Sequence, residues 1–189
     1  MSTSDEKLQK DLEIIELMAQ QMRAYLNNDL LLPMTHPDAP QVTLAGYLMR
    51  VHRLQALRNT LLDGDERARL DQAVRAYQQV TGEKRAQFDQ KIAQERQARL
   101  RQWREYLRDL EEGAGNAVYY HTAVETRLML TMLLNESADA EVTRPLETLD
   151  QTLRRAWQPG PFIWPAAWRP AYPENNYWWL YGEPRAAAR

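Results

Sequence analysis

The sequence contains no cysteine and little glycine. Of its 189 residues none is Cys and only seven are Gly. Without Cys the chain cannot form disulfides, thiolate metal sites or cysteine nucleophiles, and this composition is typical of a cytosolic protein. The glycines stand mostly between helix-like stretches, where they mark helix ends. We therefore expect a cytoplasmic protein whose chain is divided into helices.

The sequence also lacks an excess of one charge and any long apolar run. Its 24 Lys and Arg residues are balanced by 26 Asp and Glu residues, which gives a net charge of −2. This balance excludes a globally basic nucleic-acid-binding protein. No apolar run approaches the roughly 18 residues that a membrane-spanning helix needs. We expect neither secretion nor a membrane partner.

Motifs that carry catalysis are missing as well. Gly113 and Gly115 lack the third glycine and the preceding strand of a dinucleotide-binding loop, and Gly82 lacks the rest of a phosphate loop. The motifs of serine hydrolases and zincins do not occur. His121 and Glu125 stand at helical spacing, but the Glu-x-x-His pairs of a di-iron bundle are absent, so a hydrogen-bonded pair is the favoured interpretation. We predict no metal and no cofactor, and an enzyme is the less favoured class.

Helical periodicity begins near the amino terminus. Thr3 and Glu6 have the spacing of a capping box. Apolar residues then recur at intervals of three and four, which predicts one helix as far as Asn27. These residues are Leu8, Leu12, Ile15, Ala19, Met22 and Leu26. The prolines that follow, at positions 33, 37 and 40, predict an extended stretch.

Further helices follow along the chain. Thr43, Asp65 and Thr143 are the predicted N-caps, with Pro145 tolerated in a first turn. Residues 65–112 form either one long charged helix or two helices separated near Gly82, and the sequence leaves both open. The stretch from residue 116 to residue 135 is apolar nearly all round, which predicts a helix packed on several sides.

After Trp157 the composition changes abruptly. Residues 158–184 contain six prolines and eight aromatic residues. This composition excludes regular helix and is too aromatic for a solvated linker. We predict an all-α bundle of five or six helices over residues 1–157, with a Pro/aromatic-rich irregular arm, 158–189, packed on it. No strand-like alternation of useful length appears.

The predicted function is a non-catalytic, cytosolic protein–protein interaction or scaffold role. Heptad-like stripes and a surplus of Trp and Tyr supply contact surface for self-association or for a larger assembly. Five rings of the arm are the predicted partner-binding residues; closure of the domain's own core is the favoured role for most of the rings, with some left exposed at an assembly surface. They are Trp164, Trp168, Tyr172, Trp178 and Trp179. Pro170 and Pro173 also have the spacing that polyproline-binding domains read.

Two other functions stay open. Residues 84–108 are rich in arginine, and arginine beside aromatic rings suits single-stranded RNA or DNA. The residues of that alternative are Arg96, Arg99, Arg101, Trp103 and Arg104. Polar groups on a buried helix would suit a small-ligand or enzymatic pocket. The structural alternative is an internal Arg–Glu pair in which each charge is the other's partner. These residues are Tyr119, Tyr120, His121, Glu125 and Arg127.

Overall fold

The computed structural model of the chain describes residues 3–28, 43–113 and 119–185, with the side chains of the first helix from Glu6 onward. Within these residues the fold is all-α, as predicted. The helices are α1 (Thr3–Asn27), α2 (Leu44–Leu61), α3 (Gly64–Glu83), α4 (Arg85–Glu111), α5 (Tyr120–Glu136) and α6 (Ala140–Ala156). The predicted capping contact of Thr3 and the extended proline stretch at 33–40 lie outside the described residues.

Two short strands and two 3₁₀ helices complete the described chain. The strands are β1 (Trp157–Phe162) and β2 (Tyr181–Pro184), and the 3₁₀ helices span Ala166–Ala171 and Trp178–Leu180. The chain divides into two compact units, which we call unit 1 (Met1–Glu95) and unit 2 (Arg96–Arg189). The division into a bundle, 1–157, and an arm, 158–189, stays a prediction.

Unit 1 contains α1, α2, α3 and the first part of α4. The predicted apolar stripe of α1 is buried along its whole length. Glu16 of α1 pairs with Arg69 of α3 at 2.7 Å, and Arg23 pairs with Glu83 further along both helices, so α1 and α3 run parallel. The helix α2 runs antiparallel to α3, because its start stacks near the end of α3 (Tyr47 on Tyr77) and its end pairs with the start of α3 (Arg58 with Asp71).

Side chains cap the starts of two helices in unit 1. Thr43 caps α2 as predicted, since its Oγ1 accepts a hydrogen bond from the Gly46 amide at 2.9 Å. The α3 helix is capped by Asp63 in a capping box with Glu66, so the predicted cap at Asp65 is wrong. Asp65 already lies in the first turn, because α3 begins directly after Asp63.

The structure divides residues 65–112 into two helices. The division falls at Lys84, where φ is −113° and ψ is 38°, one residue after α3 ends. The Lys84 amide still bonds to the carbonyl of Val80 at 2.9 Å, and Phe88 bonds back to the carbonyl of Lys84 at 2.9 Å. The break near Gly82 therefore interrupts the helical backbone by a single residue.

Unit 2 places α5 against its neighbours on several sides. Arg96 of α4 donates to the carbonyl of Leu133 at 2.9 Å, and the ring of Tyr106 lies 6.3 Å from that of Tyr120. The second half of α4 is therefore antiparallel to α5. The fully buried residues of α5 lie on more than one face, as predicted for a helix packed on several sides. They are Tyr120, Val124, Leu128, Leu130 and Leu133.

The helix α6 begins earlier than its sequence suggests. Asp139 is its N-cap and accepts a hydrogen bond from the Glu141 amide at 3.0 Å. The predicted cap at Thr143 is wrong, since the Thr143 hydroxyl instead donates to the carbonyl of Asp139 at 2.8 Å. Pro145 consequently lies inside the helix. Its missing amide leaves the carbonyl of Glu141, an exposed residue, without its helical partner.

The strands β1 and β2 form an antiparallel ribbon that the sequence did not predict. Trp157 pairs with Pro184 and Pro159 pairs with Gly182, after which the register shifts before Phe162. The shift leaves a bulge on β1. Proline in the strand and the long separation of the two partners conceal such a ribbon from local patterns. Gly182 has a φ of 142°, and a Cβ there would collide with the carbonyl oxygen of Gln158.

Candidate interaction site

The C-terminal segment of unit 2 is fixed on α5 and α6 by its rings. The ring of Trp179 lies over the guanidinium of Arg127, 3.9 Å away, and its backbone carbonyl accepts a hydrogen bond from the Tyr120 hydroxyl at 2.5 Å. The ring of Trp178 lies over Arg154 of α6 at 3.8 Å. Such cation–π contacts are strengthened when the groups are removed from water. The segment is therefore attached to two helices at neighbouring positions.

Arg127 has its charge satisfied within unit 2. Its guanidinium donates two hydrogen bonds to Asp150, at 2.8 and 2.7 Å, and a third to the Thr131 hydroxyl at 2.6 Å. A bidentate pair of this kind fixes both partners in one geometry. The sequence predicted an internal pair with a glutamate. The structure provides an aspartate from α6, which helical spacing along α5 alone does not reveal.

The rings of unit 2 form one connected group, which we call the aromatic cluster. Neighbouring centroids lie 5.1 to 6.4 Å apart, mostly edge to face. Each such ring buries a large apolar area, and the edge-to-face geometry adds to it. The members are Trp103, Tyr106, Tyr120, Trp157, Phe162, Trp164, Trp168, Tyr172, Tyr177, Trp178, Trp179 and Tyr181.

Burial keeps two phenols of this cluster, those of Tyr106 and Tyr120, neutral. Removal from water raises the pKa of Tyr106 to about 12. Burial also raises the pKa of Tyr120, and the nearby hydroxyl of Tyr106 adds to the effect. The Tyr120 hydroxyl therefore stays protonated and acts as a donor to the carbonyl of Trp179.

The predicted partner-binding rings divide into two groups. Trp168, Tyr172 and Trp179 are at most 6% exposed, so they form part of the core of unit 2. Trp164 and Trp178 are half-buried and reach the surface. Core closure, the role that the sequence favoured for most rings, thus describes the first three rings, and the other two reach the surface where a partner would contact them.

The ribbon presents one exposed part of this segment. Residues 158–161 are exposed, and Trp157 and Phe162 on either side are half-buried. A cavity of about 470 Å³, which we call the ribbon cleft, is lined by residues 158–161 of β1 and residues 182–185. In the cleft wall, the Glu183 carboxylate lies 2.9 Å from Nε2 of His121. The cleft combines proline faces with ionic groups, which suits contact with another macromolecule.

The residues of the predicted ligand pocket are dispersed. Tyr119 is 66% exposed, whereas Tyr120 is fully buried. His121 is exposed and joins the ribbon cleft through Glu183, and Glu125 is half-buried. With Arg127 engaged by Asp150, these five side chains differ in their exposure and in their described partners.

The residues of the predicted nucleic-acid surface are dispersed too. Arg96 is buried and donates to the carbonyls of Leu133 and Ser137. Trp103 is fully buried and stacks on Tyr106, so its face is not open to a base. Arg99 is half-buried and bonds to Gln102 at 3.0 Å. Arg101 and Arg104 are the members of the set that are exposed.

The Pro170 and Pro173 pair does not present an extended ligand. Pro170 lies inside the 3₁₀ helix Ala166–Ala171, whose backbone differs from polyproline II. The exposed prolines in an extended strand are instead Pro159 and Pro161. Neither proline was among the predicted site residues. The available signal was the run Gln158 to Pro161, in which prolines alternate with other residues.

In the described part of the chain, no group of three His, Cys, Asp or Glu residues is arranged to hold a metal ion. No described helix has the length and apolar character to cross a membrane. The chain matches no family model, and comparisons with curated proteins and with solved structures found no similar protein.

Proposed function

We propose that this chain is a non-catalytic protein–protein interaction or scaffold protein of the cytosol, acting through self-association or as part of a larger assembly. The contact surface is the ribbon cleft with the half-buried rings beside it. The observation that carries the proposal is the exposed run of residues 158–161, held on a ribbon whose other side packs into the aromatic cluster.

Rigidity is the physical reason that such a surface favours binding. A loop that is ordered only in a complex loses conformational entropy at that moment, which reduces affinity. Here the ribbon is already paired, and the Ile163 amide donates to the carbonyl of Leu180 at 3.0 Å just beyond it. The contacts of Trp179 with Arg127 and Tyr120 hold the same segment on α5. Contacts formed by the exposed residues therefore require little further ordering.

The chemistry of the surface agrees with that role. Trp and Tyr, together with arginine, are enriched in the centres of protein interfaces. Trp157, Trp164 and Trp178 are half-buried around β1, and Arg154 stacks on Trp178. A partner that covers the exposed prolines would also complete the burial of these rings.

The experiment compares two charge insertions in unit 2. Pro161→Glu places a carboxylate on the exposed bulge of β1, and Thr148→Glu places one on an exposed position of α6. Sedimentation velocity is measured on each purified protein over a wide concentration range and in extract of the native host. We expect the wild type and Thr148→Glu to sediment as an assembly and Pro161→Glu to sediment as the 22.1 kDa chain.

Three results would contradict the proposal. A wild type that sediments as the single chain in both settings excludes an assembly, and an assembly that survives Pro161→Glu excludes this surface. Nucleic acid in the wild-type assembly, revealed by absorbance at 260 nm and by loss of the complex at high salt, would favour the RNA or single-stranded DNA alternative.

A further inference from the structure

We propose that residues 157–161 of β1 are a polyproline-II-like ligand for a partner protein whose groove is lined by aromatic rings and carries carboxylates at one end. This inference rests on the proposed function and names its partner class. Grooves of this kind bind extended proline segments through the faces of the pyrrolidine rings.

The first residue of the segment has the required backbone conformation, and the two prolines restrict the residues that follow. Trp157 has a φ of −75° and a ψ of 140°, which are polyproline II values. The rings of Pro159 and Pro161 fix their own φ near −65°. Gln158 and Gly160 each precede a proline, which disfavours helical backbone at both. All five residues belong to an extended strand, so little conformational entropy is lost on binding.

The same prolines argue against recognition by strand addition. A peptide that extends a sheet needs amide donors along the free edge of the strand. Pro159 and Pro161 have no amide hydrogen, so half of the donors in residues 158–161 are missing. The register shift between Pro159 and Phe162 also breaks the regular edge. Ring faces and carbonyl acceptors are what this segment presents.

The charges beside the segment indicate what the partner's groove carries at the end that lies near α6. Arg154 and Arg155 precede the segment, separated from it by Ala156, and both are exposed. Arg185 is exposed as well. It lies near them because its amide donates to the carbonyl of Ala156 at 2.7 Å. The cleft contains one carboxylate, Glu183, which bonds to His121. In the cleft lining, Arg185 offsets the one carboxylate, and Arg154 and Arg155 add two exposed guanidinium groups before the segment, which favours an acidic site on the partner at this end.

The stacked position of Arg154 gives this charge a fixed direction. Its guanidinium lies 3.8 Å from the ring of Trp178, whose ring in turn meets Trp157 edge to face at 5.3 Å. The first ring of the ligand segment and the nearest cation are thus held by one set of contacts. A fixed guanidinium loses less entropy when it pairs with a carboxylate.

The test places a photo-cross-linker in the complete chain, expressed in its native host. p-Benzoylphenylalanine replaces Gln158 in one variant and exposed Thr148 of α6 in the control. After irradiation, mass spectrometry locates the cross-linked residue on the partner. We expect a cross-link from position 158 and none from position 148, and we expect it to map to a groove with Trp or Tyr and with Asp or Glu at one end.

A second variant tests the prolines. Pro159→Ala with Pro161→Ala, in the chain that carries the cross-linker at 158, should reduce the cross-link yield about tenfold, because two ring faces and the fixed φ are lost. Tryptophan fluorescence and circular dichroism check that unit 2 stays folded. If the double variant unfolds, Pro161→Ala alone is used, and a yield equal to that of the parent then contradicts the proposal.

The outcomes separate this proposal from the proposed function. A cross-link from position 158 to a second copy of the chain, to a nucleic acid or to a surface without aromatic residues overturns the polyproline ligand. If the cross-link leads to a second copy of the chain or to a surface without aromatic residues, loss of the assembly in Pro161→Glu still supports the interaction surface. No cross-link from position 158 overturns the ligand in every case, and an assembly insensitive to Pro161→Glu overturns the surface as well.

Discussion

The helices of the two units are packed by different kinds of structure. In unit 1, helices pack on helices through a mostly aliphatic core that includes the stacked rings of Tyr47 and Tyr77, and ion pairs such as Glu16 with Arg69 join neighbouring helices. In unit 2, a segment of strands and 3₁₀ turns packs on α5 and α6 through aromatic rings. All six tryptophans of the chain lie in unit 2, between Trp103 and Trp179.

The comparison shows what an irregular segment needs in order to replace a packing helix. A helix satisfies its own backbone and contributes one apolar stripe. The segment in unit 2 satisfies part of its backbone through the β1 and β2 ladder, and its large rings supply apolar area in few residues. Its prolines also restrict the unfolded chain, so less entropy is lost on folding. An irregular segment made this way can leave a rigid part exposed for contact.

The largest expected effect comes from removing the ring that fixes the segment. Trp179→Ala deletes a ring that is 4% exposed and lies over Arg127, and we expect it to lower the free energy of unfolding by about 3–5 kcal/mol. Urea unfolding followed by tryptophan fluorescence measures this loss, because all tryptophans report on unit 2. The half-buried Trp164, changed to Ala, is the control and should cost less. Equal losses would contradict the role of Trp179.

A somewhat smaller effect is expected in the helix beneath the segment. Leu130 of α5 is fully buried, so Leu130→Ala should destabilise the chain by about 2–5 kcal/mol through lost burial and a cavity. Thermal unfolding by circular dichroism measures it. Met129, the half-buried neighbour, provides the control substitution to Ala. If Leu130→Ala and Met129→Ala had the same unfolding temperature, α5 would not be the packed helix described above.

Alanine substitutions at two glycines compare the ribbon of unit 2 with helix α3 of unit 1. Gly182→Ala should cost about 1–3 kcal/mol, because φ is 142° and the added methyl group meets the backbone of Gln158. Gly82→Ala meets no atom within 4 Å and should stabilise α3 by about 0.4–1 kcal/mol. Urea unfolding of both variants compares the two signs. A neutral Gly182→Ala would show that the ribbon tolerates another register.

The smallest effect is a pH dependence in unit 1. The hydrogen bond from Arg69 holds the pKa of Glu16 below its ordinary value of 4.5. The pair therefore stabilises the fold above pH 4.5, and this contribution is lost as pH falls through the lowered pKa. Glu16→Gln should make the fall in stability below pH 4.5 shallower by less than about 1 kcal/mol, because the pair is partly solvated. Urea midpoints at several pH values measure it.

Two comparisons isolate that contribution. Glu13→Gln changes an exposed carboxylate one turn away and should leave the acid slope nearer to that of the wild type. Asp11 acts with the opposite sign, because burial raises its pKa and protonation of Asp11 is easier in the folded chain. The wild type and both variants contain Asp11, so its effect cancels when their acid slopes are compared. An acid slope unchanged by Glu16→Gln would refute the pair's contribution.

Local patterns predicted most of the helices. The stripe from Leu8 to Leu26 is buried and Thr43 caps α2, because residues three and four apart decide both features. Asp65 and Thr143 failed as caps because several polar residues stood close to each helix start, and backbone geometry selected Asp63 and Asp139. The all-α class thus followed from periodicity, whereas individual helix ends did not.

The site was less predictable, because its contacts join residues far apart in the chain. The C-terminal rings identified the segment, but nothing local distinguishes buried Trp179 from half-buried Trp178. The pairing of Arg127 with Asp150 spans two helices, and the ribbon joins strands separated by the whole ring-rich stretch. Pro159 and Pro161 appeared only as helix breakers, since their exposure depends on a bulge that the sequence does not show.

The sedimentation coefficient of Pro161→Glu beside Thr148→Glu tests most directly whether the exposed part of β1 is a contact surface. Both variants add one negative charge to unit 2, so a difference between them does not come from the added charge alone. We predict that Thr148→Glu retains the assembly of the wild type and that Pro161→Glu does not. Equal sedimentation of the two variants would contradict the account.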